Sequence, residues 1–389
     1  MNPSRFSHRV SRRTFIGGAS AAAAAATAQA AALPSAGFFS GSNRLRVGVI
    51  GCGGRGTGAA AQAAAASPDV VISCLADRFG DQIAASAALL ARMAGPQFDC
   101  PADRRFSGPD AWQHLLAADV DLVILAAPPV TRPLHLAAAI RAGKHVYCEK
   151  PAAIDGRGLL QVMAACAEAR GRSLSIGSGL CLRHDVAARM SIERIHQGAI
   201  GELRHVAVRS SIGLPWQRPR QAGWSHDEWR LRNWIACPEL SGGHFVEHHI
   251  QAIDRALWAF GDALPAVAVP SATAAHPGGI EAGSIAVSYQ YADGRTIEAS
   301  IDRRLGNRSR IDEIATGSVG SASLLTPPSP SAPSPHAAAM AALVAALVAG
   351  SRCDESAGLC RTTQAALLGR MAAEAGSPLG WHAVLDRLA

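Results

Sequence analysis

The chain has 389 residues, 49% of them hydrophobic and 17% charged, with a formal net charge of +7; this is the composition of a soluble globular protein. The positive excess does not point to nucleic acid. Residues 1–30 hold Arg5, Arg9, Arg12 and Arg13 and no acid, so the remainder carries 33 basic against 30 acidic residues, or +3, with no basic run interleaved with aromatics.

Ser11-Arg12-Arg13-Thr14-Phe15-Ile16 reads as a twin-arginine signal, followed by a weakly apolar, alanine-rich stretch over 17–33. Ala28-Gln29-Ala30 offers a small-residue cleavage site. Residues 1–32 are therefore expected to be a signal peptide for a protein exported folded, to the periplasm or beyond. The alternative is a cytosolic protein with an alanine-rich arm. The alanine content weighs against a stable membrane-spanning helix after processing. The nine cysteines form no CxxC pair and several lie in apolar runs, so buried free thiols are expected, with neither a disulfide framework nor a resident metal.

Residues 44–50 (RLRVGVI) form a short apolar strand, and Gly51-Cys52-Gly53-Gly54-Arg55-Gly56 leads from it into an alanine-rich helix. In that context G-x-G-x-x-G is a dinucleotide turn. Gly51 permits the tight bend, Gly53 lets backbone approach a pyrophosphate at the helix amino terminus, and Gly56 allows helix and strand to close up. A second strand over 70–76 ends in Asp77, a carboxylate suited to adenosine ribose hydroxyls, which favours NAD. Arg78 is the group that would meet the 2′-phosphate of NADP.

Residues 120–127 (VDLVILAA) form the next buried strand, ending in Pro128-Pro129 and followed by a helix with His135. A further strand over 145–149 ends in Glu149-Lys150-Pro151, on the sheet edge where ligands of open α/β sheets bind. Lys144 and Lys150 are the only lysines, against 35 arginines. A lysine that persists in so arginine-biased a chain marks a place for a compact ammonium able to trade a proton.

With these residues in view, the chain resembles the glucose–fructose oxidoreductase / inositol dehydrogenase (Gfo/Idh/MocA) family, and within it the exported members with twin-arginine signals. The resemblance rests on the turn 51–56, Pro128-Pro129, His135, Gly143-Lys144-His145-Val146, Glu149-Lys150-Pro151 and Arg183. Gly198-x-Ile200-Gly201, Gly242-Gly243, Asp254, the stretch 369–376 and Trp381 extend it. It implies an α/β fold: a Rossmann dinucleotide-binding domain over 44–170, then an α+β domain over 171–389. The latter has an open, mostly antiparallel sheet that often mediates homo-oligomers. It also implies that Arg55, Pro128, His135 and Glu149 help bind the cofactor, with Lys150 beside the nicotinamide and the reacting hydroxyl.

In the second half, residues 203–212, 267–273, 284–291, 296–301 and 310–315 read as strands, with Asp293-Gly294 as a hairpin turn. A Pro/Ser connection over 327–335 precedes two closing helices, 336–348 and 355–375. Trp216, Trp224, Trp229 and Trp234 alternate with Arg218, Arg220, Arg230 and Arg232. This segment is either a sugar-stacking loop, with Trp234 against substrate, or a loop whose indoles anchor it to its own domain or another subunit.

Residues 241–258 read as one helix whose Glu247, Gln251 and Asp254 share a face. The family pattern there is a carboxylate, a histidine four residues on and an aspartate three further. Gln251 stands at the histidine position, and glutamine cannot take a proton. A base relocated to His248 or His244 is the expected remedy, a metal held by His244, Glu247 and His248 the alternative. The combined expectation is an NAD(P)-dependent oxidoreductase moving a hydride between a nicotinamide and a sugar, polyol or sugar derivative. Lys150, Glu247, Gln251 and His248 would be its catalytic residues, with Arg183, Trp234 and Asp254 contacting substrate. The alternatives are a catalytically impaired, nucleotide-retaining binding protein and an NAD-dependent glycoside-cleaving enzyme acting through a keto intermediate.

Overall fold

The computed structural model describes residues 44–275, 283–304, 306, 308–325 and 332–386. The expected signal segment, its expected cleavage site and most of the Pro/Ser connection lie outside the described residues.

Strands β1 (Leu45–Ile50), β2 (Val70–Asp77), β3 (Arg105–Ser107), β4 (Leu122–Leu125), β5 (His145–Cys148) and β6 (Ile176–Ser178) form one sheet in the order β3-β2-β1-β4-β5-β6. All its pairings are parallel. Every residue of β4 and β5 is buried, as continuous apolar runs must be when helices cover both faces. The order reverses between β1 and β4, and at such a switch point the diverging loops leave a crevice above the strand ends. Asp77, the Gly51 turn and Lys150 all lie on that edge.

A second sheet comprises β7 (Leu203–Ile212), β8 (Val267–Ala275), β9 (Gly283–Gln290), β10 (Thr296–Arg303), β11 (Arg310–Gly317), β12 (Ser321–Ser323) and β13 (Leu379–Gly380). Its order is β12-β11-β7-β10-β9-β8-β13, and only β10 with β7 is parallel. Along β10, buried and half-buried residues alternate, placing one face on the core. Gly294 takes φ +87° in the expected β9–β10 hairpin.

The helix Ser356–Ala375 joins the halves. Tyr289 on β9 donates to the Ala365 carbonyl at 2.6 Å, and Thr363 Oγ1 accepts from Ala152 N at 3.2 Å. The preceding helix, Pro335–Val348, buries Met340, Leu343 and Val344 with Val47 and Ile72 of the first sheet. The late chain therefore returns to the nucleotide side.

The expected single helix over 241–258 is broken. Gly243–Glu247 and Ile250–Ala259 are separate helices, and His249 N reaches back to the His244 carbonyl at 3.3 Å, one residue beyond the α-helical partner. The apolar period continues across the break because Val246, Ile250, Ile253 and Leu257 still face the core.

Candidate active site

Gly51 has φ +96°, and a Cβ there would lie 2.3 Å from Ala127 N. A Cβ on Gly56 would sit 1.9 Å from the Gly51 carbonyl, whereas one on Gly53 meets nothing within 4 Å. Gly51 and Gly56 are thus required by the fold, while Gly53 leaves open room above the amino terminus of the helix Gly54–Ala66. Asp77 Oδ2 accepts from Cys52 N at 2.7 Å and Oδ1 from Phe79 N at 2.9 Å. Burial pushes its pKa up, against the pull of those amides.

Arg55 Nε lies 3.0 Å from Glu149 Oε1, an ion pair tying the turn to the end of β5; its alignment is not that of a hydrogen bond. Arg132 Nη2 donates to the Ala127 carbonyl at 2.6 Å, and Nη1 to the Pro151 carbonyl. This holds the ends of β4 and β5 together. Gly179 makes room for Glu149, since a Cβ there would lie 2.4 Å from Oε2.

At the far end, Lys150 Nζ donates to Glu247 Oε1 at 2.7 Å and to the Glu247 carbonyl at 2.6 Å. These side chains are 19% and 10% exposed, enough for a ligand to reach a largely desolvated pair. Burial raises the Glu247 pKa, and the Lys150 ammonium pulls it back only in part. The other lysine is structural: Lys144 donates to the Ala118 carbonyl at 3.3 Å.

A cleft of about 630 Å³ runs along this edge. Of the residues expected from sequence, Gly51, Gly53, Arg55, Asp77, Pro128 and His135 line it, as do Glu149, Lys150, Glu247 and Trp234. Gly56 is packed beneath the turn. His135 packs at a tilt against Trp112 with centroids 5.2 Å apart, and burial lowers its pKa to about 4. Trp216 and Trp234 line the cleft, whereas Trp229 anchors its own loop by donating to the Arg218 carbonyl at 3.0 Å.

Besides Gly56, four expected residues do not line the cleft. Gln251 Nε2 donates to the Gly179 carbonyl at 2.9 Å. His248 Nδ1 accepts from Arg303 Nη2 at 2.7 Å, and its surroundings together with that cation hold its pKa far below the ordinary value. Arg183 Nε and Nη2 grip Asp254 at 2.8–3.0 Å. Glu247, Gln251 and Asp254 engage Lys150, the Gly179 carbonyl and Arg183 in turn, and the helix break falls between Glu247 and the other two. His244, the other candidate base, is buried and neutral, with a pKa lowered to about 4 by burial and then Arg303. Among the described residues no cluster of His, Cys, Asp or Glu could hold a metal ion. All nine cysteines are free.

His336 lines the cleft and was missed. It opens the helix that folds back onto the first sheet, and nothing near it in sequence signals that return. Burial, then Arg55, lowers its pKa.

A parallel six-stranded sheet with a glycine turn, an acidic strand end and a facing Lys–Glu pair defines a dinucleotide-binding oxidoreductase architecture. The chain belongs to the Gfo/Idh/MocA family. Residues 45–178 match the model described as "Oxidoreductase family, NAD-binding Rossmann fold", and residues 192–334 the model for its C-terminal alpha/beta domain. Inositol 2-dehydrogenase 4 of Saccharopolyspora erythraea is 28% identical over 213 residues, covering 54% of this chain and 56% of that protein. A 1,5-anhydro-D-fructose reductase of Ensifer adhaerens is 32% identical over 169 residues, covering 42% and 45%. The chain spans about half the length of the relatives it matches. Scyllo-inositol dehydrogenase of Lactobacillus casei, solved with NAD(H) and scyllo-inositol, superimposes with TM-score 0.67 over 87% of this chain and all of its own, at 17% identity. That likeness shows the fold.

Proposed function

We propose that the chain is an NAD(P)-dependent oxidoreductase transferring a hydride between a nicotinamide cofactor and a carbinol carbon of a sugar, polyol or sugar derivative. The observation that carries this is one cleft with the glycine turn and Asp77 at one end and the Lys150–Glu247 pair at the other. The residues fit a dinucleotide: open space at Gly53, a helix amino terminus for phosphate and a strand-end carboxylate for ribose. When bound, the nicotinamide supplies the hydride acceptor or donor. Lys150 donates a hydrogen bond to the reacting oxygen and stabilises negative charge developing there. Glu247, 2.7 Å from Nζ, receives the hydroxyl proton through the ammonium. Asp77 favours NAD, and Arg78 at the cleft wall leaves NADP as the second cofactor to assay.

The substrate class is supported by the named relatives, an inositol dehydrogenase and an anhydrofructose reductase. The twin-arginine sequence supports export of the folded protein, after capture of its nucleotide, to the periplasm or beyond. No described helix is long and apolar enough to cross a membrane. Exposed Ile311 and Ile314 on β11, with Val319 just beyond, support a homo-oligomer through the second sheet.

A second reading is a nucleotide-retaining binding protein without turnover. Gln251 favours it, because the family's histidine position here holds an amide bonded to a backbone carbonyl. One assay separates the two: purify the protein, identify bound dinucleotide, and add inositols, hexoses and glycosides while following nicotinamide absorbance. Reduction by any of them supports the oxidoreductase. Bound nucleotide that none reduces supports the binding protein. Reduction followed by net glycosidic cleavage indicates a redox-neutral glycoside-cleaving cycle, and a chain that binds no dinucleotide overturns both.

A further inference from the structure

Where the long helix Ser356–Ala375 begins, it meets the helix Gly156–Gly171 that follows β5. Cys360 Sγ there donates to Cys166 Sγ across 4.0 Å, joining residues 194 apart in sequence. Cys166 is 2% exposed and Cys360 is half-buried, so solvent reaches the pair from the Cys360 side.

The surroundings suit a thiolate. Arg170, one turn beyond Cys166, donates from Nη1 to Ser356 Oγ at 3.1 Å, and Ser356 is one turn before Cys360. The bond from Cys360 holds the Cys166 pKa below the ordinary thiol value against burial, and Ser356 and Arg170 pull the same way. Asp354 opposes them, but Ser356 Oγ and Arg352 Nη2 engage it at 2.6 and 2.7 Å. Cys360, which donates the shared proton, is pushed up. Cys353, the other half-buried thiol, has the contrary setting: burial, then Glu355 and Asp354, push its pKa up to about 12.

The sulfurs also sit at a joint between the halves. Just past Cys360, Thr362 Oγ1 donates to Asp254 at 2.7 Å and Thr363 Oγ1 accepts from Ala152 N at 3.2 Å. The long helix thus holds the chain leaving β5 on one side and the helix Ile250–Ala259 on the other. A disulfide needs its sulfurs about 2 Å apart. The remaining approach is within the sweep of one side-chain torsion of Cys360.

We propose that Cys166 and Cys360 are an oxidisable pair, a modification site where an external disulfide closes an internal disulfide bond between the nucleotide-binding half and the long helix. Cys360, as thiolate, attacks one sulfur of the external disulfide and releases one thiolate. The Cys166 thiolate then attacks the Cys360 sulfur, closing the internal bond and releasing the second. The two protons lost by the protein go to the two released thiolates, and two electrons pass to the external disulfide. The pairing stands independently of the dinucleotide reading. Because the bond spans 194 residues, it strongly constrains the unfolded chain.

The test is incubation of the full folded chain with oxidised glutathione. The nine thiols titrated after denaturation should fall by two, and non-reducing peptide mapping by mass spectrometry should find Cys166 joined to Cys360. The thermal midpoint should rise by about 5 °C and return on reduction with dithiothreitol. Cys360→Ser should keep the midpoint of the reduced parent and no longer respond to glutathione, whereas Cys353→Ser should cross-link as the parent does. Cys166→Ala empties a core position, and if it fails to fold Cys360→Ser decides alone. Nine thiols that persist, a glutathione adduct on Cys360 that Cys166 never displaces, or a bond between Cys353 and Cys360 would each overturn the pair.

Discussion

Lys150 Nζ is held by a carboxylate oxygen and a carbonyl oxygen of one residue, Glu247, at 2.7 and 2.6 Å. A compact ammonium satisfies both and keeps a third proton for a ligand. A guanidinium fork at this strand end is longer, planar and unable to pass a proton on. Lys150→Arg should therefore retain bound dinucleotide while turnover falls at least ~10²-fold, the scale of a lost proton transfer. Unchanged turnover would remove Lys150 from the reaction. The Glu247 carboxyl has a pKa above its ordinary value because it is buried. If the ionised form accepts the proton, kcat/KM rises with pH through that elevated pKa, then levels off. Glu247→Gln should remove this acid limb together with most of the rate. A limb that survives Glu247→Gln and disappears in His336→Gln would assign the titration to His336 instead. Lys150 was legible in the sequence by its rarity among arginines and its place at a strand end. His336 was not, because its position depends on where a distant helix packs.

At the scale of elements, the longer strands were legible, whereas the short strands β3, β12 and β13 and the helix break were not. A parallel sheet covered on both faces writes itself as apolar runs, and β10 writes its single buried face as alternation. A kink at His248-His249 leaves the apolar period intact, so sequence spacing alone gave one continuous helix. The Trp-rich segment stayed ambiguous for another reason: Arg232 bonds Asp81, 151 residues earlier. The glycine turn, read from motif alone, now divides by role. Gly56 has the Gly51 carbonyl where a methyl group would go, and Gly53 has empty space. Gly56→Ala should cost about 1–3 kcal/mol of stability by overpacking, seen as a lower denaturant midpoint, and lose the dinucleotide as a consequence. Gly53→Ala should unfold within about 0.5 kcal/mol of the parent yet bind dinucleotide at least tenfold more weakly by calorimetry. If both variants change stability alike, the turn is structural and Gly53 is not where a phosphate approaches.

Across the whole molecule, one core cluster runs from the first sheet to the second, including Ile50 and Val123, then Val206, Phe245 and Leu367. At its edge lies a polar knot. Arg183 grips Asp254 and Asp262, Thr362 Oγ1 donates to Asp254 at 2.7 Å, and Arg361 pairs with Asp262 at 2.8 Å. Cys181–His184, Ile250–Ala259 and Ser356–Ala375 meet there, one element from each stretch of the second half. The resemblance placed Arg183 and Asp254 at the substrate, but the geometry gives their atoms to each other, and Asp254 is fully buried. A carboxylate in that position is satisfied only as long as its guanidinium stays. Arg183→Leu should leave it buried without its cation and cost about 3 kcal/mol. Asp254→Asn keeps the shape and should cost less, about 1–2 kcal/mol, because the amide still meets Thr362. Both costs would appear in denaturant unfolding of the nucleotide-free protein, with KM for any accepted sugar little altered in whatever fraction stays folded. The opposite pattern, an unchanged unfolding midpoint with KM raised tenfold or more, would return the pair to the substrate site. It would also mean that the second half opens there to admit a ligand.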